Sequence, residues 1–468
     1  MPAADATAVV EDGVAMTWAA LEAEVDRVAA GLAALGLRAG DRAVWCGPNS
    51  TGVVVLMHAY RRLGLVSVPL PYRLTAGEAA HALADSGAVV AVSDPDYIGL
   101  VPGALTIDDV IAAGASRRPP PPAGEGATML YTPGTTGTPK GAVRRPSDPA
   151  LTAALVAELG LGAGEVHLVT GPLYHAGPHA FALLAHRRRG TLVVSRRFAA
   201  GEWLRLAAEH RATSAFVAPV HLKRILAASA GADLSSMRTL VVNAAPVPFA
   251  LKQEVIARLG DGFLYEIYGS TELGIATVLR PEDQLRKPGS CGRAYAGVEL
   301  RVVGDDGAEV PAGVAGELFV RSANAMAGYH RSTDRLAELP GGWKSVGDVA
   351  WLDDQGYLHI CDRRTDLVIT GGMNVYPAEV EAVLHAHPDV ADAAVFGVPD
   401  DEWGERVHAV VAPRPGAGVD LAALDAFLGG RLAGFKRPRS WSVRAELPRT
   451  ESGKLLKRVL RAEVPAPA

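Results

Sequence analysis

The chain has 468 residues, of which 49% are hydrophobic and 21% charged, with a net charge of −5. That length exceeds what one hydrophobic core serves, and the composition excludes a disordered or fibrous chain. The small acidic balance gives no reason to expect nucleic acid or an anionic membrane as the main partner.

Residues 18–35 carry apolar positions at helical spacing, with Thr17 as N-cap and Gly36 as stop. Residues 43–45 read as a buried strand. Strand and helix patterns then alternate, with strands at 89–92, 166–169, 191–194, 215–217 and 240–242. Such alternation predicts an α/β body with largely parallel sheets. Four prolines at 119–122 form an extended connector. Residues 298–320 switch to period-two patterning around turns at 304–307 and 311–313, which predicts a small antiparallel, β-barrel-like subdomain. Beyond Asp348 a strand at 358–360 runs into the charged stretch 362–366, followed by a strand, Gly371-Gly372 and a helix over 377–385. The expected organisation is a large N-terminal domain of mixed α/β sheets (1–361), a hinge (362–366) and a small mobile α+β C-terminal domain (367–468).

No apolar run approaches the roughly 20 residues of a membrane helix, and no basic stretch with an apolar core opens the chain. Cys46, Cys291 and Cys361 are far apart and odd in number, so no disulfide framework is expected and the cytoplasm is the expected compartment.

The stretch most informative about function is 131–141, Tyr-Thr-Pro-Gly-Thr-Thr-Gly-Thr-Pro-Lys-Gly. A short strand feeds a loop that gathers glycines, hydroxyls and one cation at a point, which suits a polyphosphate. The spacing is not that of a Walker A loop, because Lys140 precedes Gly141 rather than a hydroxyl, and no dinucleotide fingerprint stands at a strand–helix junction. Four further segments complete a constellation: 265–272 (Tyr-Glu-Ile-Tyr-Gly-Ser-Thr-Glu), Gly347-Asp348, Asp362-Arg363, and 448–454 (Pro-Arg-Thr-Glu-Ser-Gly-Lys).

In this order the five segments resemble the adenylate-forming superfamily of acyl-CoA synthetases, peptide-synthetase adenylation domains and luciferases, over residues 8 to 462. The resemblance is strongest to the fatty-acid-CoA ligase branch. It implies that ATP and a carboxylic acid, apolar and fatty, aromatic or alicyclic, form an acyl-adenylate and pyrophosphate, and that the acyl group then passes to the thiol of CoA. The implied phosphate cradle is Thr132, Gly134, Thr135, Thr136, Gly137 and Lys140. Tyr268 and Gly269 would lie on adenine beside Asn243, Ala244 and Ala245, with Asp348 and Arg363 on the ribose. Thr271 would touch the α-phosphate, Glu272 would hold Mg²⁺, and Lys454 would be the adenylation catalyst, preferred over Lys457. Gly371 and Gly372 would line the CoA entry.

His175, His179 and Val217 would line the acid site. Gly177-Pro178 between the two histidines is expected to break a helix and so to argue against a metal pair. Three departures from the family pattern bear on the second half-reaction and the chain start. Thr365, followed by Asp366, stands at the usual pivot; Met373 stands where a glutamate is common; and the helix that commonly precedes residues 8–10 is missing. Alternatives are transfer to a carrier-protein thiol or an amine, activation of another oxyanion such as nitrite, or a non-catalytic nucleotide-binding protein. The expected partners are small molecules, with an acyl-carrier protein as a further candidate and the chain a monomer or homodimer.

Overall fold

The structure, a computed structural model, describes residues 4–132, 139–363, 366–449 and 455–464. Its largest sheet has nine strands, and the core of that sheet is parallel: Thr191–Val194, Val166–Val169, Ser214–Val217, Thr239–Val242 and Leu264–Ser270 lie side by side. These strands are apolar on both faces because helices cover both, as a parallel sheet requires. At one edge Thr7–Glu11 and Val14–Thr17 close the sheet, and at the other Gly274–Leu279 returns antiparallel from Leu264–Ser270.

A second sheet of six strands runs from Val90–Ser93 through Arg42–Cys46, Val66–Leu70 and Thr128–Thr132 to Lys140–Arg144 and Gly328–Tyr329. It is parallel until the hairpin of Thr128–Thr132 with Lys140–Arg144 reverses it. Between the two sheets packs one continuous core, to which Trp18, Leu21, Val28, Trp45, Tyr60 and Leu192 belong. The helix Trp18–Ala34 starts where expected, with the Thr17 hydroxyl accepting from Ala20 N–H at 3.2 Å.

The predicted antiparallel subdomain is present. Glu299–Val303 pairs with Gly316–Arg321, which also pairs with Asp348–Leu352, and that strand pairs with Leu358–Arg363. The last sheet holds the long hairpin of Val390–Asp400 with Gly404–Pro413, flanked by Val368–Thr370 and the parallel strand Ser440–Val443. The helices Pro377–His385 and Leu421–Gly429 cover one face of it, around Val380, Leu384, Val395 and Leu424. The segments singled out from the sequence therefore sit where a parallel run ends and a hairpin turns back, at the carboxyl ends of strands. That is where open α/β sheets leave room for a ligand.

Candidate active site

Thr132 and Lys140 are register partners at the mouth of the hairpin that carries the glycine-rich loop. Gly134, Thr135, Thr136 and Gly137 lie outside the described residues. The Lys140 ammonium is ion-paired with Asp334, its side chain only 18% exposed. Two residues further along the same strand, Ala142 pairs with Tyr329, whose phenol donates to Glu272 Oε1 at 3.1 Å. Burial, and then the Glu272 carboxylate, push that phenol well up.

Glu272 follows the strand Leu264–Ser270 in a tight turn. The Ser270 hydroxyl accepts from the backbone N–H of Glu272 (3.2 Å) and of Leu273 (3.1 Å), which fixes the direction of the carboxylate. Gly269 is required by proximity: a Cβ there would stand 2.2 Å from Gly274 O and 2.9 Å from Ile275 Cα. Thr271, between them, is half-buried.

Tyr268 starts the same segment, and its phenol donates to Asp348 Oδ2 at 2.5 Å. Burial, then the Asp348 charge, hold it protonated far above its ordinary range. Asp348 and Arg363 are cross-strand partners, with Arg363 Nε 3.3 Å from Asp348 Oδ1. The carboxylate is thereby oriented by a phenol on one oxygen and a guanidinium on the other. Asn243, at the end of Thr239–Val242, donates through Nδ2 to Ile267 O at 2.5 Å. Ala244 follows with φ of +82°, a backbone state that a residue with a Cβ adopts only when its surroundings impose it. Four segments distant in sequence thus meet around Tyr268, with Gly269 next to it on the same strand and Ala245 in the turn after Asn243.

His175 is the N-cap of the helix Ala176–Arg187, and its Nε2 is buried without a hydrogen-bond partner. Burial lowers its pKa to about 4, as it does for His179, whose Nδ1 engages Leu173 O at 3.1 Å. The expectation that Gly177-Pro178 would break a helix is corrected here. Both residues occupy its first turn, where backbone N–H groups have no intrahelical acceptor and proline removes no bond. Gly177 is needed for fit, since a Cβ would lie 2.4 Å from Phe216 Cζ. Val217 is fully buried in the apolar cluster around Leu168, Leu222 and Val242.

In the C-terminal part, Gly371 (φ +56°) and Gly372 (φ +77°) form the two-residue turn between Val368–Thr370 and Met373–Val375. Positive φ at both positions is the demand of a type I′ hairpin turn. A Cβ on Gly371 would also meet Trp403 Cε3 at 2.7 Å. Lys454 and Thr365 lie outside the described residues. Lys457 pairs with Glu381 at 2.8 Å; burial works to lower its pKa, but the Glu381 and Asp362 charges outweigh that and raise it. Asp366 lies 3.8 Å from Arg461.

Residues 2–330 match the AMP-binding enzyme family, and residues 379–454 match the AMP-binding enzyme C-terminal domain. The chain belongs to the AMP-binding enzyme family. It is similar to a feruloyl-CoA synthase of Amycolatopsis sp, 39% identical, with 97% of this chain and 95% of that protein covered. It is also similar to the fatty acid–[acyl-carrier-protein] ligase ScoC of Streptomyces coeruleorubidus, 35% identical over 97% of this chain and 92% of that one. Among solved structures, o-succinylbenzoate CoA synthetase of Bacillus subtilis, in complex with its acyl-adenylate intermediate, superposes with a TM-score of 0.89. The two are 28% identical, and the match covers 99% of this chain and 97% of that one. The chain is accordingly an adenylate-forming ligase with the family's large N-terminal and small C-terminal α/β parts.

Sequence reasoning missed four participants in this AMP-binding enzyme. Tyr329 and Asp334 reach Glu272 and Lys140 only because Gly328–Tyr329 joins the second sheet as an edge strand. Lys252 and Glu266 form a buried ion pair behind the Asn243 turn. A lysine among the buried positions Leu251 and Val255 of the helix Phe249–Leu259 was the one signal that pointed to it.

Proposed function

We propose that this AMP-binding enzyme uses ATP to activate an aromatic or otherwise largely apolar carboxylic acid and then transfers the acyl group to CoA. The observation that carries the reading is the segment 268–272, bonded at its first residue to Asp348 and at its last to Tyr329, on the edge strand paired with the Lys140 strand. One short segment thereby links a site suited to a nucleoside with a site suited to a triphosphate. The choice of an aromatic acid is supported by the feruloyl-CoA synthase at 39% identity and by the apolar, aromatic surroundings of His175, where Tyr174 and Tyr72 pack ring to ring.

In the first half-reaction a carboxylate oxygen of the acid attacks the α-phosphorus of ATP, and pyrophosphate leaves. Lys140, with the loop hydroxyls, holds the departing phosphates, Thr271 donates to the α-phosphate, and Lys454 spans acid and α-phosphate. Tyr268 stacks on adenine, while Asp348 and Arg363 receive the ribose hydroxyls. Two like-charged reactants are brought together, so cations in a water-poor cleft supply the main stabilisation. Glu272 fits a Mg²⁺ role: its carboxylate, directed by the Ser270 turn, stands beside the Lys140 strand, and Mg²⁺ is commonly held by one or two carboxylates plus substrate phosphates. When bound there, Mg²⁺ would neutralise phosphate charge. His175 and His179, kept neutral by burial, add no charge to the acid site.

In the second half-reaction the CoA sulfur attacks the acyl carbonyl and AMP leaves. Gly371 and Gly372 would line the thiol's approach after the small domain turns about 362–366. A carrier-protein thiol is the second reading, favoured by the similarity to ScoC. No helix among the described residues is long and apolar enough to cross a membrane, in keeping with a cytoplasmic enzyme.

The test is ATP–pyrophosphate exchange over a panel of phenolic, indolic and fatty acids, followed by AMP and thioester formation with CoA or a carrier protein as acceptor. Absence of exchange with every acid, in wild type as in Lys454→Ala, would refute the adenylation reading. Exchange without thioester on CoA would refute the acceptor.

A further inference from the structure

Behind the Asn243 turn lies a charged pair to which the motifs assign no role, Lys252 lying outside all of them and Glu266 within 265–272. Lys252, on the helix Phe249–Leu259, is 1% exposed, and its ion-pair partner Glu266, on the strand Leu264–Ser270, is 7% exposed. Taking two charges out of water is unfavourable, and apolar residues of similar volume often hold such a place equally well, so stability alone does not account for the pair.

Its neighbours supply a reason. The backbone N–H of Val247 also faces the Glu266 carboxylate and favours its charged form. The next residue on the strand, Ile267, accepts through its carbonyl from Asn243 Nδ2 at 2.5 Å. The turn 243–247 is therefore tied at both ends to consecutive residues of one strand. Between those ties sits Ala244, at φ +82°. A left-handed φ at a residue with a Cβ persists only where the surroundings over-determine it. The third consecutive residue of that strand is Tyr268.

Resting on the nucleotide reading above, we infer that Lys252 and Glu266 are positioning residues for the adenine base. Glu266 pins the far end of the turn, Lys252 neutralises Glu266, and together they set the spacing between turn and Tyr268 ring that the base must occupy. Neither touches ATP.

The experiment measures binding of ATP and of inorganic pyrophosphate to the full chain by titration calorimetry. Lys252→Met leaves an uncompensated buried carboxylate; ATP should bind about tenfold more weakly, while pyrophosphate, which never meets the turn, changes less than twofold. Glu266→Gln keeps an acceptor for Val247 and should cost about threefold for ATP only. In the double variant ATP should bind more tightly than in Lys252→Met. Unchanged ATP affinity, or a parallel loss for both ligands, overturns the inference. If Lys252→Met does not fold, the ATP-to-pyrophosphate ratio of Glu266→Gln decides the question. Tyr268→Ala separates the two layers: should it too leave ATP unaffected, the nucleotide reading itself fails, whereas weakened ATP there with normal ATP in Lys252→Met removes only the positioning role.

Discussion

Acidification probes the core of the large N-terminal part. Six of its histidines, four buried and two (His58 and His175) half-buried, are held neutral. Burial lowers His175, His179, His186 and His221 to about 4 and His167 to about 3, and it takes His58 well below its ordinary value. His58 and His186 show why the charged form is excluded. The Ala8 carbonyl can only accept, so His186 Nε2 donates to it at 3.0 Å and His186 Nδ1 must accept from His58 Nε2 at 2.8 Å. Protonating His186 would oblige His58 to change tautomer and accept at Nε2, and protonating both would set two N–H groups against each other. On unfolding, each ring regains a pKa near 6.5, so from there down to about 4 the unfolded chain binds protons that the folded chain refuses. Stability is therefore full above pH 6.5 and falls as the pH drops. Glu165 and Glu266 act in the opposite sense, because burial raises them and they take up protons first in the folded state. Six groups against two leave a net uptake of about four protons, or ~5 kcal/mol per pH unit at the steepest point. At that slope a typical total stability of about 5–15 kcal/mol would be exhausted within about one to three pH units. Urea unfolding followed by tryptophan fluorescence at pH 7.0, 6.0 and 5.5, with proton uptake measured in parallel, reads this directly. A flat midpoint across that range, or uptake of less than one proton, would refute the reasoning.

Gly269→Ala should displace the turn that carries Thr271 and Glu272, because its Cβ meets backbone atoms that cannot rotate away. A loss of at least tenfold in pyrophosphate exchange is expected together with a lower melting temperature, and wild-type values in both would show that the strand pair yields. Ala244→Gly removes a left-handed residue with a side chain; equilibrium unfolding should show about 1 kcal/mol of added stability, and a loss would mean that the Cβ packs productively. For Gly371→Ala, the turn conformation and Trp403 both object, so thioester formation should fall at least tenfold while pyrophosphate exchange stays within twofold. Equal losses in both half-reactions would remove Gly371 from the acceptor side.

Elements whose pattern repeats locally are legible in the chain itself. The strands at 43–45, 166–169, 191–194 and 240–242, the Thr17 cap and the antiparallel pair around 304–307 all follow from residues within one window. The grouping of the candidate site residues Tyr268, Gly269, Thr271 and Glu272 is legible because they lie within five consecutive positions, while their proposed roles come from the family resemblance. The helix start at Ala176 escapes a reading that treats proline as a breaker without asking which of the helix turns it would occupy.

What sequence order conceals is the partner of each functional group. Lys140 finds Asp334 across 194 residues, Tyr268 finds Asp348 across 80, and Tyr329 finds Glu272 across 57. Each of these contacts depends on sheet order and strand register, which follow from packing the whole domain rather than from any local window. The consequence is chemical as well as topological. Lys140, on the proposed phosphate loop, is paired with Asp334, and the Asp348 carboxylate is engaged by Tyr268 and Arg363. ATP would therefore exchange partners on entering rather than meet bare charges. Its phosphates must compete with Asp334 for Lys140, so removing that competitor in Asp334→Asn should tighten pyrophosphate in the same calorimetric titration. Unchanged or weaker binding would mean that Asp334 orients the lysine instead of opposing the ligand.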